Sequence, residues 1–75
     1  MKKIGVFNSF ASAKHYAAAA YPFEPCVVRF TDGSYDWFPR GETVGRHDDD
    51  GHFEIVDNYT IVAKIIGQRW KIFKN

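Results

Sequence analysis

Three turn signals, Asp32-Gly33, Asp50-Gly51 and Gly67-Gln68, punctuate the chain beyond Cys26, which reads as a series of β hairpins. Each supplies a glycine able to take positive φ between two extended arms, so each predicts a hairpin. Taking Asp32-Gly33 as a two-residue loop pairs Phe30 with Tyr35 and Val28 with Trp37 on one face. The same register sets Arg29 opposite Asp36 on the other face. Pro39, Arg40 and Gly41 end this hairpin. The second signal lies between about Thr43–Asp48 and His52–Asp57, where Gly45 and weak apolar patterning favour an irregular loop almost as well. Asn58 separates it from a third hairpin, Tyr59–Ile66 with Arg69–Lys74. There Ile61, Ala63, Ile65, Trp70 and Ile72 share one face, and Val62, Lys64, Ile66, Arg69, Lys71 and Phe73 the other.

The first third of the chain follows a different period. Lys3–Phe7 is a short β candidate, after which Asn8 or Ser9 can cap a helix running to about Ala20, before Pro22. Phe10, Ala13 and Ala17, with Ala20 or Tyr21, fall on one helical face, and its small side chains suit close approach to a sheet. Ser12, His15 and Ala19 fall on the opposite face. The alanine run is too short for a membrane span or a coiled coil.

An α+β fold follows, as a single domain over residues 1–75: one N-terminal helix packed on a mostly antiparallel sheet, in the order β-α-β meander. The alternative is a small SH3-like or Sm-like barrel with an N-terminal helix, because Val27–Gly33 would equally suit its first hairpin. The expected core is Val28, Phe30, Trp37, Ile61, Ile65 and Trp70, with Phe10, Ala13 and Ala17 facing them. In a chain of 75 residues a buried Trp70 would be worth about 3–5 kcal/mol against alanine. Aromatic residues, at 17% of the chain, make folding without a metal or disulfide feasible. Cys26 is the only cysteine and has no internal partner, and Met1-Lys2-Lys3 followed by Ile4–Phe7 and polar Asn8 does not resemble a signal peptide. A soluble, cytoplasmic protein is expected.

The net charge of +1 conceals a sorting of charge along the chain. Eight of the nine acids lie between Asp32 and Asp57, with only Arg40 and Arg46 among them; beyond Asp57 come Lys64, Arg69, Lys71 and Lys74 and no acid. A folded chain should therefore present an acidic patch (Asp48, Asp49, Asp50, Glu54 and Asp57) beside a basic, aromatic one (Lys64, Arg69, Lys71, Phe73 and Lys74). Such a surface suits a protein partner of complementary potential. Arg69, Lys71 and Lys74 interleaved with Trp70, Ile72 and Phe73 also suit a phosphate backbone with stacked bases, although no RNP-type motif, zinc knuckle or helix-turn-helix pattern accompanies them. The plainer account places Trp70 and Ile72 in the core and lets the cations protect an edge strand. Such an edge could also pair with its two-fold mate, so the chain is expected to be a monomer or homodimer.

Chemistry finds little support. His47-Asp48-Asp49-Asp50-Gly51-His52 gathers metal-competent side chains, yet it has neither the alternating oxygen ligands nor the closing Glu of an EF-hand loop, so a solvated turn without metal is expected. Cys26 follows Pro25 into an apolar strand and reads as a small hydrophobe. Ser9, Ser12 and Ser34 suit caps and turns, and no phosphate-cradling glycine loop is present. No catalytic residue and no cofactor is assigned.

The plan of a short leading strand, the helix Ser9-Phe10-Ala11-Ser12-Ala13-Lys14-His15-Tyr16-Ala17 and a following antiparallel meander resembles small phage-encoded accessory proteins. Among these are host-takeover and anti-defence inhibitors such as anti-CRISPRs. The resemblance implies a stoichiometric binder that blocks a site on a larger machine. The chain is accordingly read as a small non-enzymatic binding protein, an inhibitor or adaptor acting on a protein partner away from membranes. A nucleic-acid-binding domain is the alternative and a small enzyme the third reading.

Overall fold

Ser9 opens the helix, its hydroxyl accepting the Ser12 amide at 3.2 Å, which satisfies one of the amides that a helix start leaves without a partner. The computed structural model describes residues 3–47 and 49–73. In it α1 spans Phe10–Ala18, and a 3₁₀ turn at Tyr21–Phe23 absorbs Pro22. Six strands follow among the described residues: β1 (Cys26–Phe30), β2 (Tyr35–Phe38), β3 (Gly45–His47), β4 (Phe53–Ile55), β5 (Tyr59–Ile66) and β6 (Arg69–Ile72). They form an antiparallel four-stranded sheet, ordered β2-β1-β5-β6, and a separate β3–β4 ribbon. The fold is α+β and the sheet is open, so the barrel alternative is excluded.

Both faces of the sheet are used. On one, Ala13 and Ala17 are fully buried against Val27, Val62 and Ala63, joined by Phe7, Phe10, Tyr35, Trp37 and Trp70. Methyl side chains on α1 let the helix backbone sit close to the strands. On the other, Val28 and Phe30 meet Val44, with Ile4, Cys26, Phe38 and Val56 around them. Val44 and Val56 flank the ribbon and are joined by a 3.0 Å main-chain hydrogen bond, so its base packs on β1 and β2.

The first hairpin differs from the expected register by one residue. Phe30 faces Ser34 across a three-residue loop: the Phe30 amide donates to Ser34 O at 2.8 Å, and the Gly33 amide to Phe30 O at 3.0 Å, with Gly33 at φ 85°. Val27 therefore pairs with Trp37, Val28 with Asp36 and Arg29 with Tyr35, and the predicted pairs Phe30–Tyr35, Val28–Trp37 and Arg29–Asp36 do not form. Asp32 and Gly33 together hold the longer loop. The Asp32 carboxylate accepts the Ser34 amide at 2.9 Å and the Ser34 hydroxyl at 2.5 Å, a side-chain turn that fastens Ser34 to the three-residue loop. Because side chains alternate along a strand, this moves Val28 and Phe30 away from the helix and Trp37 toward it.

A β-bulge corrects the core at a second point. Val27 pairs with Ala63, but the next pair is Val28 with Ile61, leaving Val62 as the extra residue on β5. Val62 and Ala63 are both buried, while Ile61, expected in the core, is 44% exposed. Trp37, Trp70 and Phe10, also expected inside, are half-buried at the margin of the helix-side cluster. Val28, Phe30, Ile65, Ala13 and Ala17 are buried as expected. The third hairpin keeps its predicted register, Ile66 opposite Arg69 and Ile65 opposite Trp70.

Lys3–Phe7 forms no strand. Only Phe7 bridges to β2, while the amides of Ile4 and Gly5 are taken by Asp32 Oδ2 and Ser34 Oγ, each at 2.7 Å. Side-chain acceptors here replace the strand ladder that the residue pattern suggested.

Candidate functional site

The regular register of β5 and β6 builds a surface on which basic and apolar side chains meet. Lys64, Ile66, Arg69, Lys71 and Phe73 all lie on the face away from α1, because Lys64 pairs with Lys71 and Ile66 with Arg69. Two ammonium groups directly across a strand pair repel each other. Phe73 relieves this by holding both, Lys64 Nζ and Lys71 Nζ each 5.7 Å from its ring centroid. Beside them Ile66 is 52% exposed, and the bulge adds Ile61 to the same face. The ribbon packs over β1 and β2 and leaves this part of the sheet uncovered.

A 390 Å³ groove bounds the patch, lined by Cys26, Ile61, Lys64 and Ile66 with Glu24 and Arg40 at its rim. The rim is pinned by the Arg40–Glu24 ion pair at 2.7 Å and by the Arg40 amide donating to Phe23 O at 3.1 Å. Burial pushes the Cys26 thiol pKa up; the backbone groups of Phe38 and Cys26 and the Lys64 charge only oppose that shift. A protonated thiol is a poor nucleophile.

The acidic residues are more dispersed. Asp49 and Asp50 are exposed in the connection at the tip of the ribbon, Glu54 lies on β4 with its carboxylate 3.5 Å from Arg46 Nε, and Asp57 follows Val56 at the ribbon's other end. Asp57 there flanks a groove with Arg29, Thr31 and Thr60. Asp48 and Lys74 lie outside the described residues. Among the described residues no three His, Cys, Asp or Glu side chains stand together as a metal ligand set, and no helix is long and apolar enough to cross a membrane.

No protein-family model, curated protein or solved structure matches the chain. Trp70 stands apart from the basic patch, on the helix face, where Lys14 Nζ lies 5.5 Å from its ring centroid. The two edges of the sheet are also unlike. On β2, Tyr35 exchanges hydrogen bonds with Phe7, and the Trp37 amide is taken by Asp36 Oδ1 at 2.8 Å. On β6, among the described residues, no strand or loop pairs with the outer edge. Sequence reasoning found the cations and Phe73 because the β5–β6 register follows from Gly67-Gln68. It missed Ile61 and the groove beside Cys26, since nothing in Ile61-Val62-Ala63 marks a bulge.

Proposed function

We propose that this chain is a non-enzymatic binding protein that engages a protein partner through the uncovered face of β5 and β6. It acts as a stoichiometric inhibitor or adaptor in the cytoplasm, in the manner of the phage anti-defence and host-takeover proteins it resembles. The observation that carries the reading is the combination on one face of exposed Ile61 and Ile66 with Lys64, Arg69, Lys71 and Phe73. Apolar contact area flanked by Lys64, Arg69 and Lys71, with the nearby Glu24 already paired to Arg40, suits a partner that carries acids around an apolar centre.

The placement of the aromatic rings favours protein over nucleic acid. A base-stacking surface needs an open ring among the cations. Phe73 instead has two ammonium groups against its ring, and Trp70 lies on the opposite face. The nucleophile candidates are otherwise occupied: Ser9 caps α1, Ser34 is held in the Asp32 turn, and the Cys26 thiol is kept protonated by burial.

The test begins with tagged chain recovered from its native host, the captured partner being identified by mass spectrometry and its affinity measured with the purified chain. Lys71→Glu and Ile66→Ser should each weaken binding about tenfold or more. Binding unaffected by either substitution refutes the reading. A nucleic acid would respond to Lys71→Glu but not to Ile66→Ser, and would show a steep fall in affinity with salt.

A further inference from the structure

We infer that the outer edge of β6 receives an extended acidic segment of the partner as an added antiparallel or parallel strand, a reading that rests on the proposed binding role of the β5–β6 face. The ladder of the third hairpin sets which groups are available. The Phe73 amide donates to Val62 O at 2.8 Å. Hydrogen-bonded positions alternate along an antiparallel pair, so Phe73, Lys71 and Arg69 point their main-chain groups inward to β5. The main-chain N–H and C=O groups of Trp70 and Ile72 then point outward, along the edge that no described strand or loop covers.

The opposite edge shows what coverage looks like in this fold. On β2 the outward groups of Tyr35 are closed by Phe7 at 2.9 and 2.8 Å, and the Trp37 amide by Asp36. On one edge the chain itself occupies Tyr35 and the Trp37 amide, and the other presents the donors and acceptors of Trp70 and Ile72, the template for strand addition.

Charge selects the occupant. Neither β5 nor β6 contains an acid, and Arg69 and Lys71 flank the open groups on one face. A second copy of this chain is disfavoured in the registers that overlap β6 most fully: an antiparallel pair centred on Lys71 sets two Lys71 side chains opposite each other, and one centred on Trp70 sets Arg69 opposite Lys71 of the second copy. An incoming strand with acids on that face and apolar side chains on the other meets Arg69 and Lys71 with the first and Trp70 and Ile72 with the second. On the latter side a 370 Å³ hollow lined by Ala18, Tyr21, Ile65, Gln68 and Trp70 adds apolar contact area.

The test uses a synthetic peptide of alternating valine and glutamate, with a valine–lysine peptide as control, and amide hydrogen exchange read residue by residue. The glutamate peptide should slow exchange at Trp70 and Ile72, and the lysine peptide should not bind. Ile72→Pro removes one outward donor at an edge position that tolerates proline. It should weaken binding about fivefold or more, as should N-methylation of the peptide amides that face β6, which leaves the protein unaltered. Binding without protection of Trp70 and Ile72, or indifferent to N-methylation, overturns strand addition while leaving the face itself as the binding surface. Equal binding of both peptides, or of neither, overturns it too. Concentration-dependent self-association that protects the same two amides without peptide would assign the edge to a second copy. Failure of the underlying binding role is read separately, from Lys71→Glu and Ile66→Ser against the captured partner.

Discussion

Phe7 and Tyr35 exchange two main-chain hydrogen bonds, of 2.9 and 2.8 Å, and thereby cover the outer edge of β2 at its first residue. The contact depends on Gly5, since a Cβ there would clash with the Tyr35 carbonyl oxygen. With Asp32 and Ser34 holding the amides of Ile4 and Gly5, the segment covers the edge at Tyr35 and contributes Ile4 to the second core.

Gly5→Ala should consequently force the segment away from β2. The clash is with backbone, which gives little, so a loss of about 1–3 kcal/mol in denaturant unfolding is expected. Amide exchange at Tyr35 should accelerate in the same variant. Unchanged stability and protection would show that the segment does not cover the edge there.

Two carboxylates near this contact should give the stability opposite pH slopes. Hydrogen bonds from the Ser34 hydroxyl, then from the Ile4 and Ser34 amides, lower the Asp32 pKa from 3.8 to about 2. Its contribution is thus complete above 3.8 and lost as pH falls toward about 2. Asp36 is raised by burial, against the opposing amides of Trp37 and Val6, so its contribution is present at low pH and declines as pH rises through its raised value. Asp32→Asn should flatten the acid limb of a pH–stability curve, and Asp36→Asn the limb above it. An unchanged acid limb in Asp32→Asn would contradict the Ser34 contact.

The two-sided core ranks side-chain deletions. Val27, fully buried under α1, should cost about 2 kcal/mol on replacement by alanine, while exposed Ile61 should cost less than about 1 kcal/mol. Trp70, only half-buried, should fall between them at about 1–2 kcal/mol, below the figure a fully buried tryptophan would carry. Urea midpoints of the three variants give the order directly. Ile61→Ala as damaging as Val27→Ala would rule out the bulge.

Local signals made most elements legible. Ser9, the alanine face of α1 and the Gly67-Gln68 turn act over a few residues, and the structure follows them. What sequence periodicity did not reveal depends on contacts distant in the chain. Asp32 turns the first hairpin while also accepting the Ile4 amide, 28 residues away, and the bulge at Val62 exists only in relation to β1. Each moves side chains by one residue, which reverses the face of a strand. The basic half of the candidate site was visible because it lies on the one hairpin whose register a tight turn sets alone. The acidic half was visible only as composition: the fold places Asp49 and Asp50 at one end of the ribbon and Asp57 at the other.

The most direct test of the binding face is backbone chemical-shift mapping of the labelled chain as its captured partner is added. The perturbed residues should be Ile61, Lys64, Ile66, Arg69, Lys71 and Phe73, with Trp70 and Ile72 along the β6 edge. Perturbation confined to the exposed side of α1 or to the ribbon, with β5 and β6 unchanged, would contradict the account.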